Sequence, residues 1–387
     1  MPPRYGIIDG VKKTLSFPGF VDVHVHFRDP GVPEAETTAS GLAAAARGGF
    51  AAVVTMPNTA PACDSPEGLD YQRRQAQGAA SPAADAPGVL LLPSACITKG
   101  RLGREVADLE SLAEAGAAFF TDDGSYVADD KVMEEAMRRA AALGMCVCEH
   151  AMDPDEVKDG VVRDCDLARI RHLPIIPVSA ETVAIRRDLA ICRVTGCRLH
   201  IQHISTAEGV ALVRDAQKEG LPVTAEATPH HLLLSCEEIP RDDANYKMAP
   251  PLGDGEDRAE LRRAVKDGVL MFATDHAPHP AAKKALGFAA GANGIIGLET
   301  AIPLTWRTMV EGEGMSPDAW ARAWWKMPRG ILSPRAAARL DEARRTAVEV
   351  GEWRVVEVAK FASLSRNCPY DGFESNCWPC DAGRVWP

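Results

Sequence analysis

Apolar residues in this chain recur as short hydrophobic or β-branched runs, each followed by a turn and then by an Ala-rich stretch with apolar positions three and four apart. The runs are Phe20–His26, Ala51–Met56, Val89–Ala95, Ala117–Thr121, Met145–Glu149, Arg198–His203, Val223–Ala227 and Leu270–Thr274. Helical segments such as Ala35–Arg47, Val132–Leu143, Ala207–Lys218 and Asp257–Lys266 lie between them, and several stop at a glycine, a common helix end. Eight strand–helix units in succession predict an α/β fold with a parallel sheet. The closed solution for eight is the (β/α)8 TIM-like barrel, with the open doubly wound sheet as the alternative. The barrel is expected over residues 19–333, and residues 1–18 and 334–387 are expected to be the two parts of a small, shortened β-region, with Glu352–Val358 a candidate strand.

Composition narrows the class. With 387 residues, 46% hydrophobic and 25% charged, the chain has material for a sizeable core and is neither collagen-like, coiled-coil nor disordered. A net charge of −11 argues against nucleic acid or an anionic membrane as partner, while leaving room for a locally positive site. The start of the chain lacks a basic segment followed by an apolar core, and no apolar stretch reaches membrane length, so the expected location is the cytoplasm. Eleven cysteines, an odd number scattered through expected strands and helices, suit a reducing compartment. Cys377 and Cys380 have no second pair at zinc-site spacing and read as two free thiols in a tail. Neither Gly-x-Gly-x-x-Gly after the first strand nor a Gly-x-x-x-x-Gly-Lys-Ser/Thr loop occurs, which weakens a nucleotide-binding reading.

Barrels carry their chemistry at the C-terminal ends of the strands, and here the polar residues ending the runs form a set. The first run ends His24-Val25-His26, where period-two alternation puts both imidazoles on one face. Others end Thr121-Asp122-Asp123-Gly124, at His150, in His200-Ile201-Gln202-His203 and in Asp275-His276-Ala277-Pro278-His279. A lone histidine is more often a satisfied structural residue; a set spread over five strand ends points to metal. Imidazole and carboxylate donors without thiolate suit catalytic zinc with open positions, and a pair of such ions activates a water and polarises a carbonyl. Spacing leaves open which of Asp122 and Asp123 ligates, the other being a turn former. Arg28 brings a guanidinium beside this set, suited to a substrate carboxylate or, alternatively, to a salt bridge with Asp29. Asn58 offers amide hydrogen bonds or caps a turn, and His230 and His231 read as structural or supporting residues.

The stretch Phe17-Pro18-Gly19-Phe20-Val21-Asp22-Val23-His24-Val25-His26-Phe27-Arg28-Asp29-Pro30-Gly31, with Met56-Pro57-Asn58-Thr59, Ala273-Thr274-Asp275-His276-Ala277-Pro278-His279 and Gly297-Leu298-Glu299-Thr300, resembles bacterial dihydroorotase of the amidohydrolase superfamily. The likeness runs over about 16–333 and resumes near Ser365-Arg366-Asn367-Cys368-Pro369-Tyr370. Where related enzymes bridge their metals with a carboxylated lysine, this chain has Asp122-Asp123, similar to the subclass that bridges with aspartate. The resemblance implies two zinc ions per subunit, with His24 and His26 on one ion, His150 and His203 on the other, Asp123 between them, and Asp275 as terminal ligand and proton shuttle. It further implies that Arg28, Asn58 and His279 hold the substrate carboxylate and carbonyl, and that Asn293 and Gly294 supply a backbone contact. The implied reaction is the reversible interconversion of L-dihydroorotate and N-carbamoyl-L-aspartate in pyrimidine synthesis, by a metal-bound hydroxide.

The chain departs from the family pattern at Ala249 and Gly253, where an asparagine and an arginine are usual, which removes a substrate hydrogen bond, and in its shortened termini. Those departures favour one other reading, a noncatalytic subunit that scaffolds aspartate transcarbamoylase, which the intact metal ligands disfavour; a further alternative is another ring amidase acting on hydantoin or allantoin, which Arg28 and Asn58 disfavour. Aspartate transcarbamoylase and further copies of this chain are the expected protein partners of an active enzyme.

Overall fold

Strands buried on both faces read as unbroken apolar runs, and the first two barrel strands, Phe20–Val25 and Phe50–Thr55, are buried at every position. The computed structural model describes residues 12–79, 88–240, 242–381 and 384–385; parts of the expected terminal regions therefore lie outside the described residues. In chain order the strands are β1 (Lys13–Phe17), β2 (Phe20–Val25), β3 (Phe50–Thr55), β4 (Leu90–Pro93), β5 (Phe120–Thr121), β6 (Cys146–Glu149), β7 (Arg198–Ile201), β8 (Val223–Ala227), β9 (Leu270–Phe272), β10 (Thr346–Val355), β11 (Glu374–Asp381) and β12 (Arg384–Val385). The strands β2-β3-β4 and β5-β6-β7-β8-β9 form two parallel sheets in sequential order. Two bridges join them into a ring: Ala95 with Phe120 between β4 and β5, and Val25 with His276 between β2 and the end of β9. The closed (β/α)8 barrel is thus the form taken, and the open sheet is not.

The principal helices between and after these strands are α1 (Thr38–Arg47), α2 (Pro66–Ala79), α3 (Leu109–Glu114), α4 (Asp130–Ala142), α5 (Ser179–Thr195), α6 (Ala207–Lys218), α7 (Gly255–Lys266) and α8 (Pro317–Arg329). Their starts follow capping chemistry. Thr37 and Asp254 each form a capping box, and Thr206 accepts from Gly209 N, so orphan amides of the first turn are satisfied. Inside the ring, Val21, Val23, Val54, Leu92, Phe119 and Met271 pack together with Ile331 and Leu332 in one buried cluster.

Helix α8 seals the junction of first and last barrel strands. Trp324 stacks on Phe272 of β9 at 4.9 Å and meets Phe50 of β3 edge-on at 5.3 Å, while its Nε1–H donates to Thr305 Oγ1. Because Trp324 is fully buried, Trp324→Ala is expected to destabilise the fold by about 3–5 kcal/mol through the cavity it leaves. Denaturant unfolding with an unchanged m-value checks this, and a loss under about 1 kcal/mol would mean that the neighbours collapse into the space.

Outside the barrel, β1, β10, β11 and β12 form an antiparallel four-stranded sheet built from both ends of the described chain. Of the strand expected at Glu352–Val358, only Glu352–Val355 lies in β10, which starts earlier at Thr346; Val358 instead begins a short 3-10 turn. Gly351, at φ 129°, lies within the register shift between Val350 and Arg354, and the strand continues through it. Cys377 lies in β11, fully buried, rather than in a loose tail; neither it nor Cys380 forms a disulfide. No helix among the described residues is long and apolar enough to cross a membrane.

Candidate active site

At the C-terminal mouth of the barrel the register of β2 against β3 shifts between Asp22 and Val25. The Asp22 carboxylate sits in that shift, accepting from His24 N at 3.2 Å and Thr274 N at 3.0 Å, and so ties the first strand to the last. His26 Nε2 and His24 Nε2 then lie 3.0 and 3.4 Å from Asp275 Oδ1. Asp123, two residues beyond β5, presents Oδ1 to His24 Nε2 at 3.2 Å and Oδ2 to His26 Nε2 at 3.3 Å. His150 Nδ1 and His203 Nε2 each lie 3.6 Å from Asp123 Oδ1 and 2.9 Å from one another. All six residues are buried.

Three non-glycine residues here hold left-handed backbone: Arg28 (φ 56°), His203 (φ 31°) and Asp275 (φ 46°). Each such residue costs of order 1–3 kcal/mol, and the concentration of that strain at one mouth is the pattern of a functional site. The adjacent aspartates separate cleanly. Asp122 accepts from Ile97 N at 2.8 Å, Thr98 N at 3.1 Å and the Thr98 hydroxyl, holding a loop, so Asp123 is the one in the cluster.

Hydrogen bonds behind the histidines decide which ring nitrogen faces inward. His24 Nδ1–H donates to Glu226 Oε1 at 2.6 Å and His26 Nδ1–H to Asn58 Oδ1 at 2.9 Å, which leaves each Nε2 lone pair aimed at the carboxylates. Lone pairs facing carboxylate oxygens repel unless a cation lies between them or the ring is protonated. His24 Nε2, Asp123 Oδ1 and His203 Nδ1 are buried without hydrogen-bond partners, and two donor triplets, His24/Asp123/His203 and His24/His26/Asp275, each bring their ligand atoms within 4.8 Å of one another. This donor set fits divalent metal. Burial opposes charge throughout the cluster. On His24 it is outweighed by Asp123, Glu226 and Asp275, which raise the imidazole pKa well above its ordinary value. On Asp123 and Asp275 burial is outweighed by the histidines, with His24 foremost, which hold both carboxyls well below the usual range.

One wall of the mouth carries the expected substrate contacts. Arg28 is half-buried and its Nε–H donates to Pro278 O at 3.3 Å; Asp29, its alternative partner, instead accepts from Tyr71 Oη at 2.8 Å and Thr38 N at 3.2 Å. Asn58 spends its carbonyl on His26 and keeps its amino group for other partners. His279 Nε2–H donates to Asn293 O at 2.6 Å, so His279, Asn293 and Gly294 form a unit. Burial and then Arg28 push the His279 pKa down to about 3. Its ring is therefore neutral from pH 5 to 8, and NMR titration is expected to show constant His279 shifts over that range; a midpoint near 6.5 would mean that the ring is freely solvated.

At Gly253 an added Cβ would lie 2.6 Å from Asp257 Cβ and 2.7 Å from Ser205 O, so a side chain here would force Asp257 or the backbone to shift. His231 is held by Thr228 Oγ1 at 2.8 Å and Pro250 O at 3.1 Å, a structural role; His230 is buried with neither ring nitrogen partnered.

Sequence reasoning missed Glu226, whose Oε1 meets His24 and whose Oε2 accepts from His200 Nε2–H at 2.9 Å. Burial works against its ionisation, but His24 and His200 hold its carboxyl down to about 2. An acidic residue within the expected strand Val223–Ala227 was the available signal. Glu226→Gln is expected to weaken metal binding about 10–100-fold, read by competition with a chelating dye. Unchanged affinity would reduce Glu226 to a buried counter-charge.

The family described as Dihydro-orotase-like matches residues 13–209. The dihydroorotase of Geobacillus thermodenitrificans is 43% identical over 377 residues, covering 96% of this chain and 86% of its own length. That of Bacillus subtilis is 39% identical over 381 residues with the same coverage. Among solved structures, L-hydantoinase from Arthrobacter aurescens has a TM-score of 0.75 at 22% identity, covering 95% of this chain and 83% of that one. D-hydantoinase from Thermus sp. has a TM-score of 0.73 at 21% identity, covering 95% and 82%. These structures share the fold. Barrel and mouth together define the class of cyclic amide hydrolases. Within it, the chain belongs to the dihydroorotase family.

Proposed function

We propose that this chain interconverts L-dihydroorotate and N-carbamoyl-L-aspartate, a step of pyrimidine synthesis, with zinc as the metal and two ions per chain. The observation that carries the reading is the buried cluster of His24, His26, Asp123, His150, His203 and Asp275 beside a wall of Arg28 and His279. His24, His26, His150, His203, Asp123 and Asp275 would hold the metal, with Asp123 shared. Bound there, it supplies Lewis acidity that lowers the pKa of water and polarises the ring carbonyl.

The remaining work belongs to the protein. Arg28 offers a planar pair of N–H donors to the substrate carboxylate and the Asn58 amino group adds another, while the neutral His279 ring, its Nε2–H spent on Asn293 O, offers its Nδ1 lone pair to a substrate N–H. The Asn293-Gly294 backbone meets the ring's polar edge. In ring opening, Asp275 accepts the proton of the attacking water and passes it to the leaving ring nitrogen; in cyclisation it takes the proton from that nitrogen and returns it to the departing hydroxide, which leaves as water. Burial of the mouth excludes bulk water from this transfer.

The test is hydrolysis of L-dihydroorotate by zinc-reconstituted protein, with and without aspartate transcarbamoylase, alongside hydantoin and allantoin. Turnover of L-dihydroorotate alone or with the partner is expected. Turnover of only the neutral rings would reassign the substrate, and no turnover under any condition would favour the scaffold reading, for which Gly253 is the observation.

A further inference from the structure

After β10 the chain returns across the barrel mouth. Glu299 accepts from Ala362 N at 2.9 Å and Ser363 N at 3.2 Å, and Glu36 accepts from Leu364 N at 3.1 Å, fixing the segment against the barrel. One residue farther on, Ser365 Oγ lies 3.1 Å from His279 O and 2.7 Å from Ala35 O.

Asn367 then enters the wall that carries the substrate contacts. Its side chain is buried, and its amide Nδ2 donates to Ala277 O at 2.9 Å and Gly294 O at 3.0 Å, while Oδ1 accepts from His279 N at 3.2 Å. Its own carbonyl accepts from Ile296 N at 3.1 Å. A primary amide has two N–H donors and one carbonyl acceptor, and all are used. Aspartate would set a carboxylate against two carbonyl oxygens. Gly294 makes the close approach feasible: at φ 144°, an added Cβ would lie 2.7 Å from Ala277 O and 3.0 Å from the His279 ring. The same loop is held from its other side by Lys284, whose Nζ donates to Ala292 O at 2.8 Å and Ala244 O at 2.7 Å.

We infer that Asn367 is a positioning residue for substrate recognition, fixing the separation of the Ala277–His279 segment from the Asn293–Gly294 loop. Arg28 is drawn into the same arrangement because its Nε–H donates to Pro278 O within that segment. Asn367 touches neither the metal-ligand cluster nor, on this reading, the substrate. It therefore acts on binding rather than on the chemical step. The inference rests on the activity proposed above.

The experiment compares wild type, Asn367→Asp and the milder Ser365→Ala as zinc-loaded full-length protein. For Asn367→Asp, KM for L-dihydroorotate is expected to rise about tenfold or more, with kcat within about threefold and zinc content unchanged. Ser365→Ala is expected to raise KM by a smaller factor. Unmoved KM in both variants while wild type is active, or a fall in kcat at constant KM, overturns the role of Asn367 and leaves the activity standing. A wild type without turnover sinks the activity instead. Independently of turnover, NMR of the His279 ring N–H, assigned with His279→Ala, is expected to shift in Asn367→Asp as its bond to Asn293 loosens. An unchanged resonance overturns the inference. Should Asn367→Asp fail to fold, Ser365→Ala carries both measurements, with unchanged KM and ring resonance counting against the inference.

Discussion

Asp275→Asn is expected to lower kcat on the order of 10³-fold or more while leaving zinc content close to wild type. The two parts of this expectation have different causes. An amide keeps an oxygen where Asp275 Oδ1 lies, 3.0 Å from His26 Nε2, so the donor set loses charge but not a ligand atom. Asparagine also tolerates the left-handed backbone that Asp275 holds at φ 46°, so the variant does not add backbone strain. What the amide lacks is a basic lone pair that takes a proton from water and returns it to the ring nitrogen. KM should move little, since Arg28 and His279 are untouched. Steady-state kinetics with metal analysis on the same samples is the check. A rate within tenfold of wild type would remove Asp275 as proton carrier, and a rate that falls only in step with zinc content would reduce it to a ligand.

The fold was more legible in sequence than the site's supports, and the reason is periodicity. Each of the eight expected runs overlaps a barrel strand, because parallel strands covered on both faces leave unbroken apolar signals such as Phe50–Thr55. The terminal sheet was harder to read. In β10 burial alternates only in its first half, and the exposed remainder gives no alternating signal. His24, His26, His150 and His203 stand at strand ends where their chemistry is conspicuous. The choice between Asp122 and Asp123 was not available from residue type or periodicity. It depends on which carboxylate the Ile97 and Thr98 amides capture, a contact between loops that only the closed ring brings together. Glu226 and Asn367 escaped for the same reason: one lies 202 positions from the histidine it orients, the other 88 from the histidine whose backbone it holds.

The capture of Asp122 by its loop sets up the sharpest contrast between neighbours. Asp123→Ala is expected to abolish detectable turnover and to reduce bound zinc below the wild-type content. Asp123 is the residue whose two oxygens face all four histidines, at 3.2 Å from His24, 3.3 Å from His26 and 3.6 Å from His150 and His203. Without it the imidazoles have no shared carboxylate to offset the charge of two cations, and zinc affinity should fall with it. Wild type stripped with chelator should regain activity when zinc is restored, whereas Asp123→Ala should not. Zinc at 100-fold its Kd should stabilise the wild-type fold by about 2.7 kcal/mol, readable as a rise in Tm, and should give the variant little or none. Asp122→Asn should do the opposite, lowering Tm by loosening the Ile97–Thr98 loop while keeping zinc. If the phenotypes exchange places, with Asp122→Asn losing zinc and Asp123→Ala keeping it, the assignment of the shared ligand is wrong.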